Sequence, residues 1–344
     1  MKICRSRAPL RLGLAGGGSD VSPYCDRFGG QVLNATINHY AYCTIEARKD
    51  DQIEFAALDI ETVEHHPSCS HIDPSEGLSL HRDTYNLIVE RFNDGKPLAL
   101  RMLTHTDAPP GSGLGSSSTL VVAMIQAYLE WLRLPLGEYD VARLAFEVER
   151  LRLKQTGGRQ DQYAAAFGGV NFIEFYKDER VVVNPLRVKS WIMNEFESSL
   201  VLCYSTVSRN SSKIISEQIA RVEQNLESAI EGTHQLKEDA VRMKEALLRG
   251  EITAVAKVLG HSWEAKKQLA ESITSPELDE TMEAARQAGA IAGKVSGAGG
   301  GGFMMFMIEP SRRLILERAL TQRGGKLLPF RFSAEGAESW TVQP

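Results

Sequence analysis

The sequence lacks any excess of basic charge: 39 Lys and Arg stand against 44 Asp and Glu, a formal net charge of −5. A protein that wraps nucleic acid or lies on an anionic membrane needs the opposite balance, so the expected partners are small molecules, with neither nucleic acid nor membrane among them. Cysteine is scarce and scattered, at Cys4, Cys25, Cys43, Cys69 and Cys203, with no CxxC pair. Neither a disulfide framework nor a zinc site is suggested, and a reducing cytosol is expected. Long apolar runs are missing, and the N-terminal MKICRSRAPLRLGLAGGG has no apolar core of signal length; a cytoplasmic protein follows as the expectation. His65, His66, His71 and His81 lack the spacing of metal ligands and are assigned no role.

What is present is core-forming material. With 43% apolar residues in 344, the chain is long enough for two domains, each with its own core. Alternating segments at Tyr40–Arg48, Gln52–Leu58 and Leu98–Leu103 read as half-buried strands. A helix is predicted from the serines near Ser116 to about Leu132, and a second through Val141, Leu144, Ala145, Val148 and Leu151. Past residue 211 two helical stripes follow, Ile215, Ile219, Val222, Leu226 and Ile230, then Leu236, Ala240, Met243 and Leu247. The last hundred residues read as strand, glycine loop, strand, helix, strand. The class is α+β, with a domain boundary placed near residue 185, giving 1–185 and 186–344.

Three glycine clusters carry the chemistry. PPGSGLGSSST (Pro109–Thr119) has glycines that allow close backbone approach and serines where a helix begins with unpaired N–H groups, which together suit an anion. It is not a Walker loop, because no Lys-Ser or Lys-Thr follows Gly115. The alternative is that Ser116 only caps the helix. KVSGAGGGGF (Lys294–Phe303) matches GxGxxG formally but opens into an apolar strand rather than a helix, so the dinucleotide reading is rejected; a close approach by a ligand or by another segment remains. In RAPLRLGLAGGGSD, Arg11 and Asp20 bracket three glycines that a tight turn between strands would also explain.

Taken together, Arg7–Asp20, Pro109–Thr119, Glu149–Gly169 and Lys294–Phe303 resemble, in order, the motifs of the GHMP kinases, the family of galactokinase, homoserine kinase, mevalonate kinase and phosphomevalonate kinase. GGRQDQYAAAFGGVNF and GKVSGAGGGGF look most like the branch acting on D-glycero-D-manno-heptose 7-phosphate in bacterial surface-polysaccharide synthesis. The resemblance implies an N-terminal domain like ribosomal protein S5 domain 2, a ferredoxin-like C-terminal domain with added helices, and a site between them for ATP, Mg2+ and a sugar phosphate. A homodimer is left open.

Carried over residue by residue, the resemblance gives Pro110, Gly111, Ser112, Gly113, Leu114, Gly115, Ser116 and Ser117 to the ATP phosphates. Ser117 and Glu149 fall to magnesium, with Glu147 as a rival to Glu149. Asp161 is the expected proton acceptor, and Arg11 the cation beside it that orients the attacking oxygen. Asp20, Gly17, Gly18, Gly297, Gly299 and Gly300 are expected at the substrate. Gly17 and Gly18 stand where galactokinase has Glu and His, which opens space and argues against galactose. A cation for the far phosphate is sought among Arg159, Arg209 and Lys213. Competing readings are another sugar 1-kinase, such as one for fucose, a sugar-binding relative without catalysis, and a decarboxylase of the same family.

Overall fold

The structure, a computed structural model, describes residues 2–205 and 211–343. Its longest strands are the first two. β1 (Ile3–Ala15) and β2 (Gly30–Ala47) run antiparallel, with register shifts at Pro9/Arg11 and Gly13/Ala15 that bend the ribbon. The connection between them, residues 16–29, opens with a hydrogen-bonded turn at the three glycines, Ser19 N donating to Gly16 O at 3.0 Å, and continues through a short helix, α1 (Tyr24–Phe28). β3 (Gln52–Ala57), β4 (Thr62–Pro67) and β5 (Leu100–Thr106) complete one side in the order β1-β2-β5-β3-β4. Among the described residues only β3 and β5 pair in parallel, with α2 (Ser79–Phe92) on the path between them. β6 (Val170–Phe175) pairs with the first half of β2 and with β7 (Val181–Pro185).

α3 (Ser116–Leu132) is apolar around most of its circumference, which is the pattern of a helix buried on several sides. Val121, Val122 and Ile125 share a core with Ile45, Phe55 and Met102 from the sheet. α4 (Glu138–Phe146) and α5 (Gln160–Phe167) pack beside it.

After α6 (Ser190–Ser199) the chain enters a second sheet of β8 (Leu200–Tyr204), β9 (Ala292–Val295), β10 (Phe303–Met307) and β11 (Lys326–Leu327). The order β11-β8-β10-β9, all antiparallel, is the βαββαβ arrangement of a ferredoxin-like unit. Among the described residues, four α-helices occupy the first crossover, α7 (Ser211–Glu223), α8 (Glu227–Arg249), α9 (Ile252–Lys267) and α10 (Pro276–Gln287), and α11 (Arg313–Gln322) the second. On α7 Val222 is buried as the periodicity predicts, but the other buried positions are Ile214 and Gln218 rather than Ile215 and Ile219. Ile215 lines a cavity instead.

The sheets change between Pro185 and Leu200, but residues 186–344 do not all stay with the second unit. The final strand, β12 (Glu338–Val342), returns to pair with β1. Leu10, Leu12 and Leu14 of β1 share one core with Met243 and Leu247 of α8 and Phe303 of β10, so the two units meet through apolar contact. Lys294 is buried at this seam, its Nζ donating to Gly13 O and Leu14 O, and burial pushes it well below the ordinary lysine range. No helix among the described residues is long and apolar enough to cross a membrane.

Candidate active site

A cavity of about 610 Å³ opens where the start of α3, the end of β1, the start of α5 and the β9–β10 loop converge. That size suits a small-molecule site.

The loop before α3 is shaped by Gly111, Gly113 and Gly115, all with left-handed φ near +75° (74°, 78° and 79°). At Gly113 the requirement is strict. A Cβ there would stand 2.5 Å from Ser296 O, which belongs to the second glycine loop. The two loops are laced together: Ser296 Oγ donates to Gly113 O at 2.9 Å and Phe303 N to Ser112 O at 2.9 Å. The second loop thus braces the first, which is the work its glycines do. No side chain caps α3; Ser116 bonds Ser112 Oγ at 2.9 Å instead, leaving the first-turn N–H groups for a ligand. Gly113→Ala is expected to raise the KM for ATP about 10-fold or more through strain and loop displacement, checked by varying ATP at saturating acceptor.

Arg11 and Asp161 meet across the floor. Arg11 is 4% exposed and reaches Asp161 Oδ1 through Nε at 2.7 Å, while Nη1 donates to Gly113 O at 2.6 Å. Asp161 sits in the first turn of α5, and Asp20 holds that turn in place. The Asp20 carboxylate accepts from Arg159 N at 2.9 Å, Gln160 N at 3.1 Å, Gln160 Nε2 at 3.1 Å and Gly18 N at 3.0 Å. A side chain at Gly158 would collide with it. Asp20, expected at the substrate, therefore borders the cavity with both oxygens already engaged by protein donors.

Ser117 donates to Glu149 Oε1 at 2.9 Å, and Gln162 Nε2 holds Glu149 Oε2 at 2.5 Å. Glu149 is fully buried, in a single π turn, Glu147–Arg152, that continues α4. Glu147 turns outward to Arg91 and does not reach the cavity.

Several expected residues lie elsewhere. The Arg159 guanidinium turns away to Ser22 Oγ and Asp26 Oδ1, both at 3.0 Å, so it is not a cavity cation. Leu114 is buried in the shared core and anchors the loop from beneath. Gly300 bonds Ile273 O and, unlike Gly297 and Gly299, is absent from the lining. Lys213 is exposed on α7, and Arg209 lies outside the described residues. The cations that do line the cavity among the described residues are Arg11, Arg150 and Lys266. Arg150 Nη1 lies 3.6 Å from Glu149 Oε1. Lys266 comes from α9, in a stretch with no motif to single it out. Ala57, Ile60, Leu78 and Leu80 give the cavity an apolar wall. His81, assigned no role from the sequence, also lines it; burial pushes this imidazole down to about 4, and Nε2 pairs with Thr104 Oγ1 at 2.8 Å.

The family model described as GHMP kinases N terminal domain matches residues 79–169, and the one described as GHMP kinases C terminal matches residues 243–326. A D-glycero-alpha-D-manno-heptose 7-phosphate kinase of Campylobacter jejuni is 45% identical over 342 residues, 99% of this chain and 100% of that protein. The chain belongs to the GHMP kinase family. As a GHMP kinase it is a phosphotransferase, and ATP is the donor its family uses. A crystal structure of a D-glycero-D-manno-heptose 1-phosphate kinase from Bacteroides thetaiotaomicron is similar at TM-score 0.85 and 44% identity, covering 99% of this chain and 100% of that one. Galactokinase of Lactococcus lactis complexed with galactose, at TM-score 0.74 and 19% identity over 99% of this chain and 95% of that one, shares the GHMP kinase fold.

Proposed function

We propose that this kinase transfers the γ-phosphoryl group of ATP to the anomeric C1 hydroxyl of D-glycero-D-manno-heptose 7-phosphate, giving the 1,7-bisphosphate, a step toward bacterial surface polysaccharide. The observation that carries the reading is the likeness to the Campylobacter jejuni heptose 7-phosphate kinase across the whole of both chains. The geometry supports it: a carboxylate held by an arginine stands beside a phosphate-shaped loop in one cavity. The acceptor oxygen attacks the γ-phosphorus, the bond to the β,γ-bridging oxygen breaks, ADP leaves with that electron pair, and the hydroxyl proton passes to Asp161.

Arg11 orients both partners, since one guanidinium bonds Asp161 and the carbonyl of Gly113 in the phosphate loop. Ser117 Oγ and Glu149 Oε1, 2.9 Å apart, form a hard oxygen pair beside that loop, which fits magnesium. The ion when bound neutralises charge on the phosphates; Ser117 and Glu149 would hold it. Five free thiols, four of them buried, accord with a reducing cytosol.

The names of the two similar proteins differ in phosphate position, 7-phosphate in one and 1-phosphate in the other. One assay separates these readings. Purified protein, ATP and magnesium are mixed with heptose 7-phosphate, heptose 1-phosphate, fucose or galactose, ADP is followed, and the product is read by phosphorus NMR. Heptose 7-phosphate is expected to give the highest kcat/KM and a new phosphate coupled to the anomeric proton. ADP formation with none of the sugars would sink the kinase reading, and preference for fucose would move it to another sugar 1-kinase.

A further inference from the structure

Lys266 is the penultimate residue of α9, is 3% exposed and lines the cavity. A lysine so enclosed needs its protons placed. Of three, one goes to Gly17 O at 3.2 Å and one to Gly297 O at 2.7 Å. Both acceptors are neutral carbonyls, so the charge is not cancelled at contact, and the third proton has no partner among the described residues. Nearby, Gln218 of α7 is 6% exposed and lines the same cavity, and its amide nitrogen is also without a partner among the described residues. A buried amide left this way calls for a ligand or a rearrangement.

Both side chains line the one cavity together with Gly17 and Gly18. A Cβ on Gly17 would meet Gln160 Nε2 at 3.3 Å and Lys266 Nζ at 3.9 Å, and one on Gly18 would meet Leu269 at 3.3 Å and Gln218 Oε1 at 3.9 Å. Gly17 and Gly18 lead directly to Asp20, which caps the helix carrying Asp161. That part of the cavity is therefore next to the proton acceptor, where a phosphoryl acceptor must lie.

We infer that Lys266 is an acceptor-binding residue, donating its third N–H to an oxygen of the sugar seated over Gly17 and Gly18, with Gln218 completing that polar wall. This rests on the reading of the cavity as a sugar-phosphate kinase site. Helices of the second unit thus supply from above what the two glycines do not supply from below. Burial pushes Lys266 down to about 8, opposed by Asp20 and Asp161 and aided by Arg11, while Lys294 is the other buried amine whose charge it opposes. The ammonium is present below about pH 8 and lost as pH rises through it.

The test is steady-state kinetics with ATP and heptose 7-phosphate varied separately. Lys266→Met is expected to raise the acceptor KM about 10-fold or more, and Gln218→Leu about 5-fold, with the KM for ATP within about twofold. A lysine that only ties the glycine loops together would raise both constants in parallel, because the Gly297 loop braces Gly113; that result overturns the inference. Wild-type kcat/KM for the acceptor should fall as pH rises through about 8, and the fall should disappear in Lys266→Arg, which does not titrate there. This profile decides the matter even if Lys266→Met does not fold, and a flat wild-type profile also overturns the inference. Wild type that forms no ADP with heptose 7-phosphate defeats the functional reading itself, a different failure.

Discussion

Replacing Asp161 with Asn is expected to lower kcat by about two to four orders of magnitude while leaving the KM for ATP within about twofold. The substitution keeps an oxygen where Arg11 Nε now bonds at 2.7 Å, so the floor of the site retains its shape. Arg11, 4% exposed, also keeps Gly113 O as an acceptor at 2.6 Å, so the guanidinium is not stranded. What disappears is the negative charge and the place for the acceptor's proton. The weakened charged hydrogen bond costs about 1–3 kcal/mol of stability, which a melting curve will register as a modest shift rather than unfolding at assay temperature. Calorimetric titration with a non-hydrolysable ATP analogue should give near wild-type affinity. If kcat stays within about tenfold of wild type, Asp161 is not the proton acceptor and phosphoryl transfer here proceeds by positioning alone.

The parts of the fold that the sequence made legible are those set by local pattern. α3 begins at Ser116 and ends at Leu132 because an apolar stretch follows a glycine–serine start, and that signal lies within one segment. β1 was harder to read. It is buried on both faces from Ala8 onward, so the alternation that identifies a half-buried strand is missing. The return of β12 to β1 is a pairing between residues more than 300 positions apart in the chain, and no local pattern encodes it.

The same distinction divides the site. The glycine loop is visible in sequence because its geometry demands particular residues at fixed spacing, whereas the carboxylate in GGRQDQY is singled out by the family resemblance. Which cation faces the cavity depends on the direction of a side chain, and that is decided by packing. Arg159 stands two residues before Asp161 yet turns to Asp26, while Lys266, over a hundred residues away, enters the cavity. Glu147 and Glu149 differ in sequence only by position. Two residues apart on one helical segment they face opposite ways, one to Arg91 at the surface and the other to Ser117.

That separation makes Glu149→Gln the second large effect. Glu149 is fully buried with both oxygens bonded, to Ser117 Oγ at 2.9 Å and Gln162 Nε2 at 2.5 Å. A glutamine can satisfy both neighbours, because its oxygen can take the Gln162 proton while its amide donates to the Ser117 hydroxyl. The fold should therefore tolerate the change at a cost of about 1 kcal/mol. Magnesium binding should not, since a hard cation loses its charged protein ligand and keeps a neutral one. The expected result is a fall in kcat of about 100-fold at fixed magnesium and a rise of about 10-fold or more in the magnesium concentration giving half-maximal rate. Ser117→Ala, which removes a neutral ligand, should shift that midpoint less. Titrating manganese by its effect on water relaxation in the presence of ATP reads ion binding without turnover, and there Glu149→Gln should bind more weakly than wild type. Unchanged ion binding with lost turnover would place Glu149 outside the metal site and leave it as a support for Ser117 and the start of α3.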